Sequence, residues 1–226
     1  MGMDLASTDH LLTTTRAVRK RLDLERPVEP DVLLECLRLA VQAPTGSNAQ
    51  GWRWLIVRDR DKRASIAESY RKAFDPYIAM PKAMVDPANR AQMKVVESAE
   101  YLSSILHEVP VLVIPCLLGR ADQLGPEGTP FAGWSNFTAS GFYGSIWPGV
   151  WSLMLALRSR GLGSALTTLH LLNEQEVGEL LGIPDTVTQA GLIPVAYFKG
   201  EDFKPARRRP VEEITYWESW KNLSPE

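Results

Sequence analysis

Cysteine and histidine are scarce in this chain, and an unbroken apolar run long enough to cross a bilayer is missing. The two cysteines, Cys36 and Cys116, lie far apart, so neither a disulfide framework nor a CxxC redox or zinc pair is available. Both read as small buried hydrophobes. His10, His107 and His170 are isolated and make no metal-ligand spacing, so no metal is expected. No GxxxxGK[ST], HExxH or GxSxG occurs, which removes P-loop, zinc-protease and α/β-hydrolase chemistry. GLGSAL, from Gly161, resembles half of a dinucleotide fingerprint, but it follows a helical pattern and lacks the third small residue. A basic excess is missing too: 25 Lys and Arg against 27 Asp and Glu leave a formal net charge of −2, which argues against nucleic acid or membrane as a partner. The first twenty residues lack the apolar core of a signal peptide, and runs such as VPVLVIPCLLG, from Val109, are too short to span a bilayer. The expectation is a cytoplasmic protein, and the NFT and NLS triplets at Asn136 and Asn222 carry no glycosylation meaning there.

What is present is ordinary for a globular chain: 226 residues, 45% hydrophobic and 23% charged, enough for one sizeable core. No internal repeat appears, so a single domain over residues 1–226 is expected. The apolar spacing predicts a helix over Asp31–Ala43, with Val32, Leu33, Cys36, Leu37, Leu39 and Ala40 as its buried stripe and Pro30 at its start. A short strand follows at Trp54–Val57. Asp59 is placed to cap a helix running to about Phe74, which Pro76 and Pro81 are expected to break. A further helix from about Ala88 to Leu106 leads into the buried strand VPVLVIPCLL. The Gly/Pro-rich segment 121–136 reads as a long loop. GFYGSIWPGVWSLMLALRSRGLG, from Gly141, reads as a helix apolar nearly all round and hence central, with Pro148 bending it or marking its true start and Gly161 as its C-terminal cap. SALTT reads as a strand, NEQEVGELL as a helix with Asn173 and Glu176 in capping-box spacing, and TQAGLIPVAYF as the last core strand. Helices and strands are mixed without regular βα alternation, which makes the fold class α+β.

The stretch LAVQAPTGSNAQGWRWLIV, Leu39 to Val57, stands apart. Thr45, Ser47, Asn48 and Gln50 crowd hydrogen-bonding side chains into a turn between a buried helix and a buried strand, where two to six ordinary turn residues suffice. Two arginine clusters lie at opposite ends of the chain, TRAVRKR (Arg16, Arg19, Lys20, Arg21) and ARRRP (Arg207, Arg208, Arg209). Either alone reads as a solvated patch. Together they match a phosphate, because guanidinium binds such anions through two parallel hydrogen bonds. A phosphate site, a row of amides and flanking aromatics suggest a flat nucleotide-like cofactor.

TTRAVRKRLDLERPV, APTGSNAQGWRWLIV, GSIWPGVWSLMLALRSRGLGSALTT and IPVAYFKGEDFKPARRRPVEEI resemble, in order, the four signature regions of the FMN-dependent nitroreductase superfamily. The resemblance covers about Thr13 to Ile214. It implies a central, mostly antiparallel sheet surrounded by helices, an N-terminal extension over 1–12 and a C-terminal arm over 199–226. It also implies FMN as cofactor. Thr15, Arg16, Ala17, Val18 and Arg19 match the segment that grips the FMN phosphate and ribityl chain, with Arg16 at the phosphate and Arg19 at the pyrimidine edge. The family's serine is Ala17 here, so a hydroxyl contact is lost. Pro44, Thr45, Gly46, Ser47, Asn48, Ala49, Gln50, Gly51 and Trp52 match a turn that contacts the flavin, in many members that of the partner subunit. Gly51 stands where proline is usual, which leaves the turn looser. Leu166, Thr167 and Thr168 match the strand over the ring, and Arg208 the late phosphate arginine.

The implied activity is a two-step, ping-pong hydride transfer from NADPH or NADH through the flavin to a small-molecule electron acceptor, nitroaromatic or quinone-type. Flavin carries such chemistry itself while the protein binds, orients and tunes it, so no catalytic acid–base pair or nucleophile is expected. Arg19 is expected to tune the flavin. The implied partner is a second copy of the chain, with the flavin at the interface. Segments 74–90 and 121–136 are expected at the substrate entrance. Competing expectations are another chemistry on the same fold (dehalogenation or flavin destruction), a flavin-binding or storage protein, and a non-flavin anion-binding protein.

Overall fold

The computed structural model describes residues 2, 4–84, 86, 89–125, 127–129 and 132–225. Val85, Pro87, Ala88, Pro126, Pro130 and Phe131, which belong to the two expected entrance segments, lie outside the described residues. The chain divides into two compact units, Thr15–Glu201 and a smaller one made of Met1–Thr14 with Asp202–Glu226. Among the described residues, no helix is long and apolar enough to cross a membrane.

The smaller unit holds helix α1 (Leu5–Thr14), whose first turn is capped by Asp4 Oδ1 accepting from the Ala6 and Ser7 amides. His10 Nε2 pairs with Asp202 Oδ2. The tail keeps Tyr216 and Trp220 edge to face, 4.8 Å between ring centroids. Trp220 is 80% exposed.

The larger unit is α+β, with helices around an antiparallel sheet. Its sheet runs β1 (Trp52–Val57), β2 (Val111–Leu118), β5 (Ile193–Tyr197), β3 (Leu162–Ser164), and β4 (Val187–Gln189) pairs with β2 alongside. Every pairing between named strands is antiparallel. Strand β2 is the spine and is buried at seven of its eight positions, which is why its sequence reads as a continuous apolar run rather than an alternation. One edge pairs with β1 from Trp52↔Leu117 to Val57↔Leu112. The other is shared, with β4 opposite 116–118 and β5 opposite 111–113. The sequence reads 188–198 as one strand. It splits because Pro115 has no N–H to donate, and Ala190–Leu192 leaves the ladder at that level. The Pro115 carbonyl still accepts from Ala190 N–H at 2.8 Å.

Helices α2 (Pro30–Ala40) and α6 (Trp147–Ser159) pack together on the sheet. Leu33, Cys36 and Ala40 meet Val150, Leu153, Met154, Ala156 and Leu157 in the core. Leu39, expected in the buried stripe, is 50% exposed instead. The expected long apolar helix is two, α5 (Asn136–Gly144) and α6, and Pro148 sits in the first turn of the second. It marks the true start, where its missing N–H costs nothing. Gly161 follows α6 with φ +76°, the left-handed geometry of a C-terminal cap.

Helix α3 (Arg60–Met84) corrects the expected break. Its backbone passes through Pro76 and Pro81. Each proline removes one hydrogen bond, yet its fixed φ is itself helical, and contacts with residues 169–173 and with α4 (Arg90–Ile105), where Lys82 Nζ donates to Glu100 Oε1 at 2.8 Å, support the helix. Asp59 caps it as expected, Oδ1 accepting from Lys62 N–H at 2.9 Å. The capping box foreseen at Asn173 and Glu176 does not form on α7 (Glu174–Leu181). Asn173 Nδ2 donates to the Ser69 carbonyl and Glu176 accepts from Ser69 Oγ and Lys72 Nζ. Both side chains tie α7 to α3, a tertiary use that outcompetes the local cap.

Candidate functional site

Residues 15–19 run along the free edge of β3. Ala17 bridges Ser164 in parallel, and Val18 N–H donates to the Ser164 carbonyl at 2.8 Å. This approach needs Gly163, because a Cβ there would lie 2.8 Å from Val18 Cγ1. Val18 is buried and fixes the register, while Arg16 and Ala17 are exposed and Thr15 is half-buried.

Arg19 follows on this edge. Its Nη1 donates to Ser98 Oγ of α4 over a long 3.4 Å. Its Nε is buried without a hydrogen-bond partner, and among the described residues no carboxylate pairs with the guanidinium. A partly buried cation left uncompensated is costly unless a ligand supplies acceptors. Tyr70 of α3, 3% exposed, places its hydroxyl 3.0 Å from Thr167 Oγ1. Burial pushes the Tyr70 phenol pKa up, partly offset by the Thr167 hydrogen bond and the positive charge of Arg19. Arg19, Tyr70 and Thr167 therefore form one polar cluster beneath α3.

The Leu166–Thr168 segment is not a regular strand, since β3 ends at Ser164. Thr167 instead exchanges both backbone hydrogen bonds with Leu192, 2.9 and 2.8 Å. Gly191 lets Leu166 close over it, a Cβ there lying 2.8 Å from Leu166 Cδ1. Thr168 is exposed and Leu166 half-buried.

The turn after α2 is held from a different direction. Gly46 N–H donates to Ser145 Oγ at 3.1 Å, and that hydroxyl donates on to the Gly141 carbonyl at 2.8 Å. Trp52 Nε1 donates to the Ser145 carbonyl at 2.5 Å. Ser47, Asn48 and Gln50 all sit in the left-handed region, with φ of 51°, 52° and 49°. For residues other than glycine this costs about 1–2 kcal/mol each, a cost that marks functional turns when the surroundings enforce it. Gln50 Nε2 donates to Asn48 Oδ1 at 3.0 Å, and Pro44, Ser47, Asn48 and Gln50 are exposed. Thr45 Oγ1 is buried without a partner.

The structure thus gathers Ala17, Val18, Arg19 and Thr167 in one neighbourhood and anchors Pro44–Gln50 to the junction of α5 and α6. Arg208 belongs to the smaller unit, where its Nη1 donates to the Arg207 carbonyl at 3.2 Å. Tyr70 and Ser98 were invisible to sequence reasoning, each a lone polar residue in a helical segment with no motif around it. Ser145 lies inside the third motif region, where nothing in its spacing singles it out. Among the described residues, no His, Cys, Asp and Glu cluster capable of holding a metal is present.

Comparison with known proteins agrees with this architecture. The chain is 28% identical to an iodotyrosine deiodinase of Thermotoga neapolitana over 209 residues, covering 91% of this chain and 95% of that one. It is 25% identical to an NADH dehydrogenase of Thermus thermophilus over 224 residues, covering 94% and 100%. The crystal structure of an oxidized iodotyrosine deiodinase bound to FMN and 3-iodo-L-tyrosine superposes with a TM-score of 0.66 at 23% identity, covering 92% and 98%, a likeness of fold. Residues 12–197 match the Nitroreductase family, and the chain belongs to that family.

Proposed function

We propose that this protein is an FMN-dependent oxidoreductase that uses NADPH or NADH to reduce a nitroaromatic or quinone-type acceptor. The observation that carries the reading is the Arg19 guanidinium, whose Nε is buried, unpartnered and without a carboxylate beside it among the described residues. Thr45 Oγ1 is a second orphan at a residue of the flavin-contacting motif. Both fit the heteroatom-rich edge of an isoalloxazine. Bound FMN supplies a two-electron carrier, and the protein's own residues bind, orient and tune it. Arg19 places a fixed cation that favours the more negative, reduced form. Thr167 and Thr168 offer hydroxyls beside the ring, and Arg16 offers an exposed guanidinium to the phosphate. Arg208 is the second phosphate arginine of the reading. In a two-fold homodimer the strained turn at Asn48 presents its amides to the flavin of the other subunit.

The visible spectrum of the purified protein, before and after NADPH, tests this. A flavin band near the blue that bleaches on reductant and returns with a quinone is expected. A colourless protein that takes up no added FMN would overturn the reading. The deiodinase similarity favours one second reading, reductive dehalogenation on the same fold. Iodide release from 3-iodo-L-tyrosine, measured beside turnover of a nitroarene and quinone panel, separates the two.

A further inference from the structure

Two hydroxyls share one hydrogen bond at the heart of the cluster. Tyr70 and Thr167 lie 3.0 Å apart, and each is the other's side-chain partner among the described residues. Each group carries one proton. One proton closes the bond between them, and the other is left over.

Where the second proton points follows from burial. Tyr70 is 3% exposed, so turning its own O–H away from Thr167 would strand an unsatisfied donor in the interior. Thr167 is half-buried, so its own O–H can turn away from Tyr70 without being stranded in the interior. The phenol is also the more acidic of the two hydroxyls and hence the better donor. Tyr70 therefore donates, Thr167 Oγ1 accepts, and the Thr167 proton is left for another acceptor. Stacking of Tyr70 on Phe74, 5.9 Å between centroids and 18° between planes, holds the phenol in place.

We infer that Tyr70 is a positioning residue. Its hydroxyl locks the Thr167 side chain as a hydrogen-bond donor toward an acceptor atom of the oxidised flavin. The inference rests on the FMN reading above. It assigns the flavin environment a residue from α3, an element outside all four motif regions.

The test is FMN titration by fluorescence quenching on four proteins: the native chain, Tyr70→Phe, Thr167→Val and the double variant. Tyr70→Phe keeps the ring stack and removes only the oxygen. Loss of an ordered neutral donor is worth about two- to tenfold in FMN affinity. Tyr70→Phe and Thr167→Val should each weaken binding within that range, and Tyr70→Phe should add nothing once Thr167 is valine. The absorption band of bound oxidised FMN should shift in both single variants and lie at the same position in Thr167→Val and the double variant. Native-like affinity and an unmoved band in Tyr70→Phe would overturn the inference while leaving the FMN reading intact, as would equal losses from Tyr70→Phe in both backgrounds. A native chain that binds no FMN would instead remove the reading on which the inference stands.

Discussion

Arg120 holds Glu174 through two parallel hydrogen bonds, 3.0 Å to Oε1 and 3.2 Å to Oε2. The same Oε1 accepts from Gln189 N–H at 3.0 Å. One carboxylate thus joins the end of β2, the first turn of α7 and strand β4. Hydrogen bonds to charged groups contribute about 1.5–3 kcal/mol where solvent is largely excluded, and this pair is mostly shielded. Arg120→Met should lower stability by about 1–3 kcal/mol, read as a lower urea midpoint at unchanged slope. Glu174→Gln should cost less, because an amide oxygen still accepts from Gln189.

His170 gives the protein an acid sensitivity. It is fully buried, and burial pushes its pKa down to about 4, offset only in part by the nearby Gln189 carboxamide. Both ring nitrogens lack a partner of normal hydrogen-bond length among the described residues. In the unfolded chain the imidazole titrates near its ordinary value of about 6.5. The unfolded state therefore binds more protons between those values, and stability falls as pH drops from about 6.5 toward 4. The contribution is about 3 kcal/mol, complete above the upper limit. Urea midpoints across that window should flatten in His170→Leu relative to the native chain.

Both thiols should be inert in the folded protein. Burial raises the pKa of Cys36, and that of Cys116 to about 12 with a small addition from Glu174. Thiolate is the reactive species. A chromogenic disulfide reagent at neutral pH should therefore titrate no thiol until denaturant is added, and both afterwards.

The flavin released by heat should be FMN and not FAD, because nothing in the chain resembles an adenosine-binding unit. Reverse-phase chromatography of the supernatant decides it. Loss of one charge-assisted phosphate contact is worth about 1.5–3 kcal/mol, or roughly ten- to hundredfold in affinity. Arg208→Ala should weaken FMN binding in that range while leaving the redox potential near native, whereas Arg19→Ala should lower the potential. Unchanged affinity in Arg208→Ala would move the assignment to Arg207 or Arg209.

Truncation after Pro210 removes Tyr216, Trp217 and Trp220. Aromatics of this size bury about 150–250 Å² each when packed, yet Trp217 is 43% and Trp220 80% exposed in the single chain. A partner subunit is the expected cover. Light scattering and flavin titration should show the truncated chain losing dimer and FMN together. A dimeric, flavin-bound truncation product would refute the arm.

The amino-acid sequence by itself determined the class of fold, the central apolar helix, the buried cysteines and the family, because these rest on periodicity, composition and short motifs. The Thr45–Gln50 turn was legible as well, since hydrogen-bonding residues between buried elements are conspicuous in one dimension. Tertiary structure decided the rest. Helix α3 continues past Pro76 and Pro81 because packing against α4 and residues 169–173 supports what local propensity would end. Asn173 makes no side-chain cap, and its amide is oriented instead to donate to the Ser69 carbonyl of α3. The last strand divides at Pro115, whose missing N–H matters only once β2 lies between two partners. Tyr70 reaches Thr167 across 97 positions of chain, a contact no spacing rule foresees, because it exists only after α3 has been laid against residues 169–173.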